Sequence, residues 1–227
     1  MKTTVLILAA GRMWRGWTKE TPKQLAPIAS EPVILRIIRQ LKERGYDEDI
    51  IVVTHNKAIQ AVVPRYFEPA RFYWRTETLA STRELWGERT IVLHGDTIYS
   101  PTMMDTIVAT HEPFMFIGIG DKMHVEACVF TDQNLVLRAA NMATDAANVC
   151  EAGPKPENLA ANQDTPKRWG GAYEAWTFYR ALSGLPPVEK PEWAFNPKIH
   201  RIVKNDYTVD IDTPQVYKWF LSKYKWA

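Results

Sequence analysis

The chain has little cysteine: Cys128 and Cys150 are its two thiols, and they stand in no metal-ligand spacing. That excludes a thiolate metal site or a disulfide framework; reduced thiols in a cytoplasmic setting fit better than a single bridge. Long hydrophobic runs are absent as well. No segment approaches the ~20 apolar residues that a membrane span requires. The one run that imitates a secretory leader, Val5 to Ala10, is short, and Arg12 and Arg15 follow it at once. A buried strand is the better reading. Excess charge is missing too, since 28 Lys and Arg against 26 Asp and Glu leave a net +2. No nucleic-acid surface is announced. His55, His94, His111, His124 and His200 have no metal spacing, and no Ser-His-Asp or Cys-His arrangement appears. Internal repeats and a domain-splitting linker are lacking.

What remains is a globular composition, 227 residues with 46% hydrophobic and 24% charged, enough for one domain with a substantial core. Thr4–Leu8 reads as a buried strand. Val33, Ile34, Ile37, Ile38 and Leu41 form one helical face, with Pro32 before it and Gly45 after it. Further strands are expected at 49–55, 71–74 and 89–96, with short helices over 57–67 (interrupted near Pro64) and 78–86. Strand and helix alternate through residue 112, implying a mainly parallel sheet with helices on both faces. Ligands of such sheets sit at the carboxyl ends of strands. Beyond Pro113, two strands follow without a helix between them. The Ala-, Asn- and Pro-rich stretch 141–166 reads as a long loop. Residues 170–182 read as a strand leading into a helix, 207–212 as a final strand, and 213–224 as a helix opened by Thr-Pro.

Three stretches carry candidate chemistry. In "LILAAGRMWRGWTKETPKQLAPI" a strand delivers Gly11 into a loop containing Arg12, Arg15, Lys19 and Lys23. Backbone N–H groups and fixed positive charge suit phosphate oxygens. The string is neither a Walker A loop nor a G-x-G-x-x-G turn. In "VLHGDTIY", Asp96 ends a strand, either as a ligand for a hard cation such as Mg²⁺ or as a turn cap. In "YTVDIDTPQ", alternation sends Val209 and Ile211 to one side and Asp210 and Asp212 to the other. Two such carboxylates repel unless a positive charge lies between them; Asp212 or Thr213 could also cap the helix.

Together these stretches resemble the nucleotidyltransferases that join a nucleoside triphosphate to a phosphorylated acceptor. Leu8, Ala9, Ala10, Gly11, Arg15, Pro22, Lys23, Leu25, Pro27 and Pro32 match that family's opening pattern in order, and "DIDTP" matches its closing turn. The resemblance implies a three-layer α/β/α, Rossmann-like fold of glycosyltransferase-A type with a mainly parallel, mixed sheet. Residues 1–112 would form the nucleotide-binding half of a single domain and 113–227 the acceptor half. By the same resemblance, the Leu8, Ala9, Ala10 and Gly11 backbone holds base and ribose. Arg15 grips the β- and γ-phosphates, and Lys23 steadies the α-phosphate and the acceptor phosphate. Asp96 and the Asp210/Asp212 pair hold Mg²⁺. Ser81 is a nucleotide contact; Gly170, Gly171, Glu174, Lys167 and Arg168 face the acceptor; Trp169, Trp176 or Trp193 could stack on a sugar or enclose an ammonium.

The implied reaction moves a nucleoside monophosphate onto the acceptor, most often a sugar phosphate in this family, and releases pyrophosphate. The alternatives are a phosphocholine-type cytidylyltransferase, a glycosyltransferase of the same fold, and a nucleotide-sensing domain. Ile98 stands where the glycosyltransferases' second acid belongs, and Met13 where many relatives carry glycine. Neither the base nor the oligomeric state is legible.

Overall fold

The apolar run after Lys2 forms β1 (Thr3–Leu8), and its alternation sets the architecture. Val5 and Ile7 point to one face of the sheet and Leu6 to the other, and each enters a separate buried cluster. In this computed structural model the described residues are 2–11, 16–18, 20–120, 124–152, 169–186 and 196–224, with backbone only at 124–125, 150–152 and 169–173.

A small hairpin, β2 (Pro27–Ile28) and β3 (Glu31–Pro32), leads into α1 (Val33–Lys42). Its buried stripe of Val33, Ile34, Ile37 and Leu41 packs on the Val5/Ile7 face. Each such side chain contributes roughly 1.5–3 kcal/mol of burial. The helix stops as the chain turns at Gly45, whose φ is 87°. Then follow β4 (Ile50–Val53), α2 (Lys57–Gln60), β5 (Tyr66–Phe67) and α3 (Arg75–Ser81). Next come β6 (Arg89–His94), β7 (Thr97–Ile98), α4 (Pro101–Val108), β8 (Phe114–Ile119) and β9 (His124–Phe130). The C-terminal part adds α5 (Gln133–Ala152), α6 (Trp169–Leu182), β10 (His200–Val203), β11 (Val209–Asp210) and α7 (Pro214–Lys223).

Seven strands form the main sheet in the order β10-β8-β9-β6-β1-β4-β5. All neighbours are parallel except β9, which runs antiparallel to both β6 and β8. Helices α1, α4 and α7 cover one face; α3, α5 and α6 cover the other. This is the expected three-layer fold with a mainly parallel, mixed sheet. The chain leaves β1 toward β4 on one side and returns to β6 on the other, so the order reverses between β1 and β6. A crevice at their carboxyl ends is where such a sheet binds ligands.

Four expectations are corrected. Residues 71–74 are not a strand: β5 is the edge strand, and the Glu77 carboxylate reaches back to the N–H groups of Tyr73 and Trp74 to open α3 instead. The 141–166 loop is helical through Ala152. Val136, Ala139, Ala140, Ala143 and Ala147 make a buried stripe of small residues against α6; residues 153–166 lie outside those described. Residues 170–182 are helical throughout. The final strand shrinks to β11, which pairs with β7 rather than the main sheet, and its place there is taken by β10.

Candidate active site

The end of β6 and the end of β1 approach closely because Gly95 has no side chain. A Cβ there would lie 3.1 Å from the Ala9 Cβ, the Ile34 Cδ1 and the Leu8 carbonyl oxygen. The Gly95 N–H donates to that carbonyl at 2.9 Å. Asp96 thus emerges beside the loop that follows β1. Two backbone contacts bring the C-terminal aspartates to it. The β7–β11 ladder sets Asp210 opposite Thr97, and the Ile211 N–H donates to the Asp96 carbonyl at 3.0 Å. The Trp17 indole donates to the Ile211 carbonyl at 3.2 Å, tying the opening loop to the same strand. Gly16, at φ 93°, lets that loop turn against Pro214. Thr213 is the cap of α7, its hydroxyl accepting from the Val216 N–H at 3.2 Å.

Lys23 opens a short 3₁₀ turn after the extended Pro22. Its ammonium sits among the three aspartates, in contact with Asp96, 2.9 Å from Asp212 and 3.7 Å from Asp210. One oxygen from each carboxylate lies within 4.8 Å of the others. Burial alone would pull Lys23 down, but Asp96, Asp210 and Asp212 outweigh it and hold the group above its ordinary value. Desolvation, then repulsion by Asp96, pushes Asp210 up to about 8, against the opposing pull of Lys23.

Beside this cluster a cavity of about 300 Å³ opens on the face covered by α3 and α6. Val92, Phe116, Phe178 and Leu79 give it an apolar lining; Arg75, Thr76, His94, Glu126, Glu174 and Asp210 supply its polar groups. Both halves of the chain therefore contribute to it. Desolvation and, second, the Arg75 charge push His94 down to about 4. Desolvation raises Glu126 to about 7; repulsion by Asp96 and Asp212 adds to this, and a hydrogen bond from Thr97 opposes it.

The expected residues fall in different places. Asp96, Asp210, Asp212 and Lys23 converge. Glu174 lines the cavity, its carboxylate accepting from the Thr76 N–H at 2.6 Å and the Thr76 hydroxyl at 3.0 Å. Leu8 lines it with its side chain. The Ala9 N–H is bonded to Val53 at 2.8 Å, whereas no hydrogen bond among the described residues uses the N–H of Ala10 or Gly11. Gly11 faces open space. Ser81 donates to the Thr78 carbonyl at 2.8 Å and does not line the cavity, a place taken on α3 by Arg75 and Thr76. Gly170 and Gly171 lie in the first turn of α6 rather than on a strand. Trp176 is buried, with the Arg180 guanidinium 5.1 Å from its ring centroid, and is not a cavity wall. Arg15, Met13, Lys167, Arg168 and Trp193 lie outside the described residues. Glu126 and Arg75 escaped the sequence reading: one is a lone acid in an apolar strand, the other a basic residue opening an ordinary helix.

No family model matches the chain. A curated relative, the bifunctional protein GlmU of Syntrophomonas wolfei subsp. wolfei, is 31% identical over 98 residues, which is 43% of this chain. The chain spans 21% of that relative's length. Three solved structures share the fold at low identity. A Bacillus anthracis protein assigned as a glucose-1-phosphate thymidylyltransferase superposes with a TM-score of 0.60 at 13% identity, covering 98% of this chain and 95% of the other. The CTP:phosphocholine cytidylyltransferase of Streptococcus pneumoniae gives 0.59 at 17%, covering 98% and 99%. A CMP:2-keto-3-deoxy-manno-octonic acid synthetase gives 0.59 at 11%, covering 98% of each. The fold is the Rossmann-like nucleotidyltransferase fold, as the resemblance implied.

Proposed function

We propose that the chain transfers a nucleoside monophosphate from a nucleoside triphosphate to a phosphorylated small-molecule acceptor, releasing pyrophosphate. One observation carries this reading: Asp96, Asp210, Asp212 and Lys23 converge at the β1/β6 crevice, beside the open Gly11 backbone. Three hard carboxylates around one ammonium group mark a position that needs positive charge, and their oxygen donors suit Mg²⁺. Asp96, Asp210 and Asp212 would hold it, and it would supply charge neutralisation to phosphate oxygens.

The chain's own residues do the rest. The Ala10 and Gly11 N–H groups offer donors to the nucleotide. Lys23 is placed to move from the aspartates to the α-phosphate and the acceptor phosphate, with Arg15 on the distal phosphates. The acceptor phosphate is already ionised at neutral pH, so no general base is required; alignment and charge do the work. Thr97 and Ile98 are buried in the β7–β11 ladder, leaving no second acid after Asp96 for the glycosyltransferase pattern. Cys128 is buried and unbridged, in keeping with a reducing cytoplasmic setting, and among the described residues no helix is long and apolar enough to cross a membrane.

The test is pyrophosphate release from each of the common nucleoside triphosphates across a panel of phosphorylated acceptors, with and without a chelator. Release that requires both acceptor and divalent cation is expected. Nucleotide binding with no release in any combination would transfer the case to a sensing role.

A further inference from the structure

The Lys23 ammonium fills the place that the three aspartates would give a metal ion. It touches Asp96 and lies 2.9 Å from Asp212, with Asp210 beyond hydrogen-bond reach at 3.7 Å. The same three residues bring one carboxylate oxygen each to within 4.8 Å of one another. An ammonium and a divalent cation cannot share that space, and their like charges repel at contact distance. The contact with Asp96 is also the deep one. Side-chain exposure is 14% for Lys23 and 17% for Asp96, against 36% for Asp210 and 46% for Asp212.

The backbone that carries Lys23 is pinned. The Leu25 N–H donates to the Pro22 carbonyl at 2.8 Å, the Ala26 N–H to the Lys23 carbonyl at 3.1 Å, and the Val33 N–H to the Ala26 carbonyl at 3.0 Å. Gln24, next to it, is buried. Moving the ammonium therefore needs only rotation of its flexible four-carbon stem. The loop after β1, where Gly11 faces open space, adjoins Asp96. An anion received there competes with the aspartates for the same ammonium.

Resting on the transfer reading above for the identity of that anion, we infer that Lys23 is a built-in competitor of the divalent cation. In the free chain its ammonium keeps the metal off Asp96, Asp210 and Asp212. A nucleotide phosphate at the Gly11 loop draws the ammonium away and opens the aspartates. Nucleotide and metal thus bind with positive cooperativity, and the coupling is reciprocal.

Mn²⁺ binding, followed by electron paramagnetic resonance and calorimetry, tests this without turnover. The anionic probe is each common nucleoside monophosphate at saturation, with its own chelation of Mn²⁺ measured separately and subtracted. Wild type should bind Mn²⁺ about tenfold or more tightly with a monophosphate than alone. Lys23→Met should bind Mn²⁺ about tenfold or more tightly than wild type with no nucleotide, and gain less than about threefold from one. Its melting temperature should rise on adding Mn²⁺, whereas that of wild type without nucleotide should not. Lys23→Arg, which keeps the charge, should exclude the metal as wild type does.

Wild-type affinity unchanged by every monophosphate overturns the inference, and that arm decides the matter even if Lys23→Met does not fold. Lys23→Met binding Mn²⁺ no more tightly than wild type overturns it too, as does tight binding by Lys23→Arg. The pyrophosphate assay separates the two readings. Coupled Mn²⁺ binding without any release keeps the competition and rejects transfer. Release alongside nucleotide-independent Mn²⁺ binding keeps transfer and rejects the competition.

Discussion

The two faces of the central sheet are built on the same alternating strands, yet they do different things. Toward α1, α4 and α7 the contacts are aliphatic and closed: Val5, Ile7, Val52, Ile91 and Leu93 meet Ile34, Ile37, Met103 and Phe220, all fully or almost fully buried. Toward α3 and α6 the lining is aromatic, and a cavity containing buried acids interrupts it. The first face gives up free volume for stability. The second tolerates buried acids and empty space. Between them, at the strand ends, lies the Lys23–aspartate cluster.

The largest effect expected from breaking this comparison is at the junction. Asp96→Asn should reduce pyrophosphate release about a thousandfold or more, since it removes a donor from the cation position, while the melting temperature measured by circular dichroism stays within a few degrees. Full activity in that variant would remove Asp96 from the metal role. Lys23→Met should lower kcat about a hundredfold to a thousandfold, and it should also destabilise the fold, because three carboxylates lose the charge between them. Denaturant unfolding checks the second half; an unaltered kcat would count against the role given to Lys23.

On the closed face, Ile37→Ala should cost about 3 kcal/mol in unfolding free energy with little change in kcat for the protein that remains folded. Phe178→Ala on the cavity face should cost less, because a void already adjoins that side chain, and should raise the acceptor KM. Equal stability losses from the two substitutions would mean that the faces do not differ as described.

The last effect is electrostatic and shows only when pH is varied. The Glu126 carboxyl is held at about 7, above its ordinary 4.5, mainly by desolvation. The folded state therefore binds more protons than the unfolded one between those values, and Glu126 lowers stability as pH rises through that window. Glu126→Gln should be about as stable as wild type near pH 4.5 and more stable above pH 7, by about 3 kcal/mol at most. Parallel stability–pH curves for the two proteins would mean that burial does not hold the Glu126 carboxyl up.

Much of this was readable before any coordinates, and the reasons differ by segment. Alternation and a proline-to-glycine helix announced β1 and α1 because both periods are local. The ordered run from Leu8 through Lys23 to Pro32, with "DIDTP" near the end, pointed to phosphate and metal chemistry because each residue type suits one task. Residues 141–152 misled because an alanine and asparagine stretch has loop composition, whereas its helical stripe of small residues matters only when α6 packs against it. Residues 71–74 misled because an aromatic run reads as strand until Glu77 closes back on its N–H groups. Glu126 was invisible: one acid in β9 has no sequence context, and its meaning comes from the cavity above it and Asp96 beside it.

Read from its residues alone, the opening loop already had its chemistry: a strand that ends in glycine, then fixed positive charge, then a lysine held after a proline. Local periodicity and side-chain type settle such features, since neither depends on distant contacts. The destination of that lysine did not follow. Lys23 lies among three aspartates because Gly95 lets β6 close on β1 and because the β7–β11 ladder carries Asp210 and Asp212 across from the far end of the chain. The acidic cavity is of the same kind. Its walls come from β1, α3, β6, β8, β9, α6 and β11, and only long-range packing brings those elements to one place.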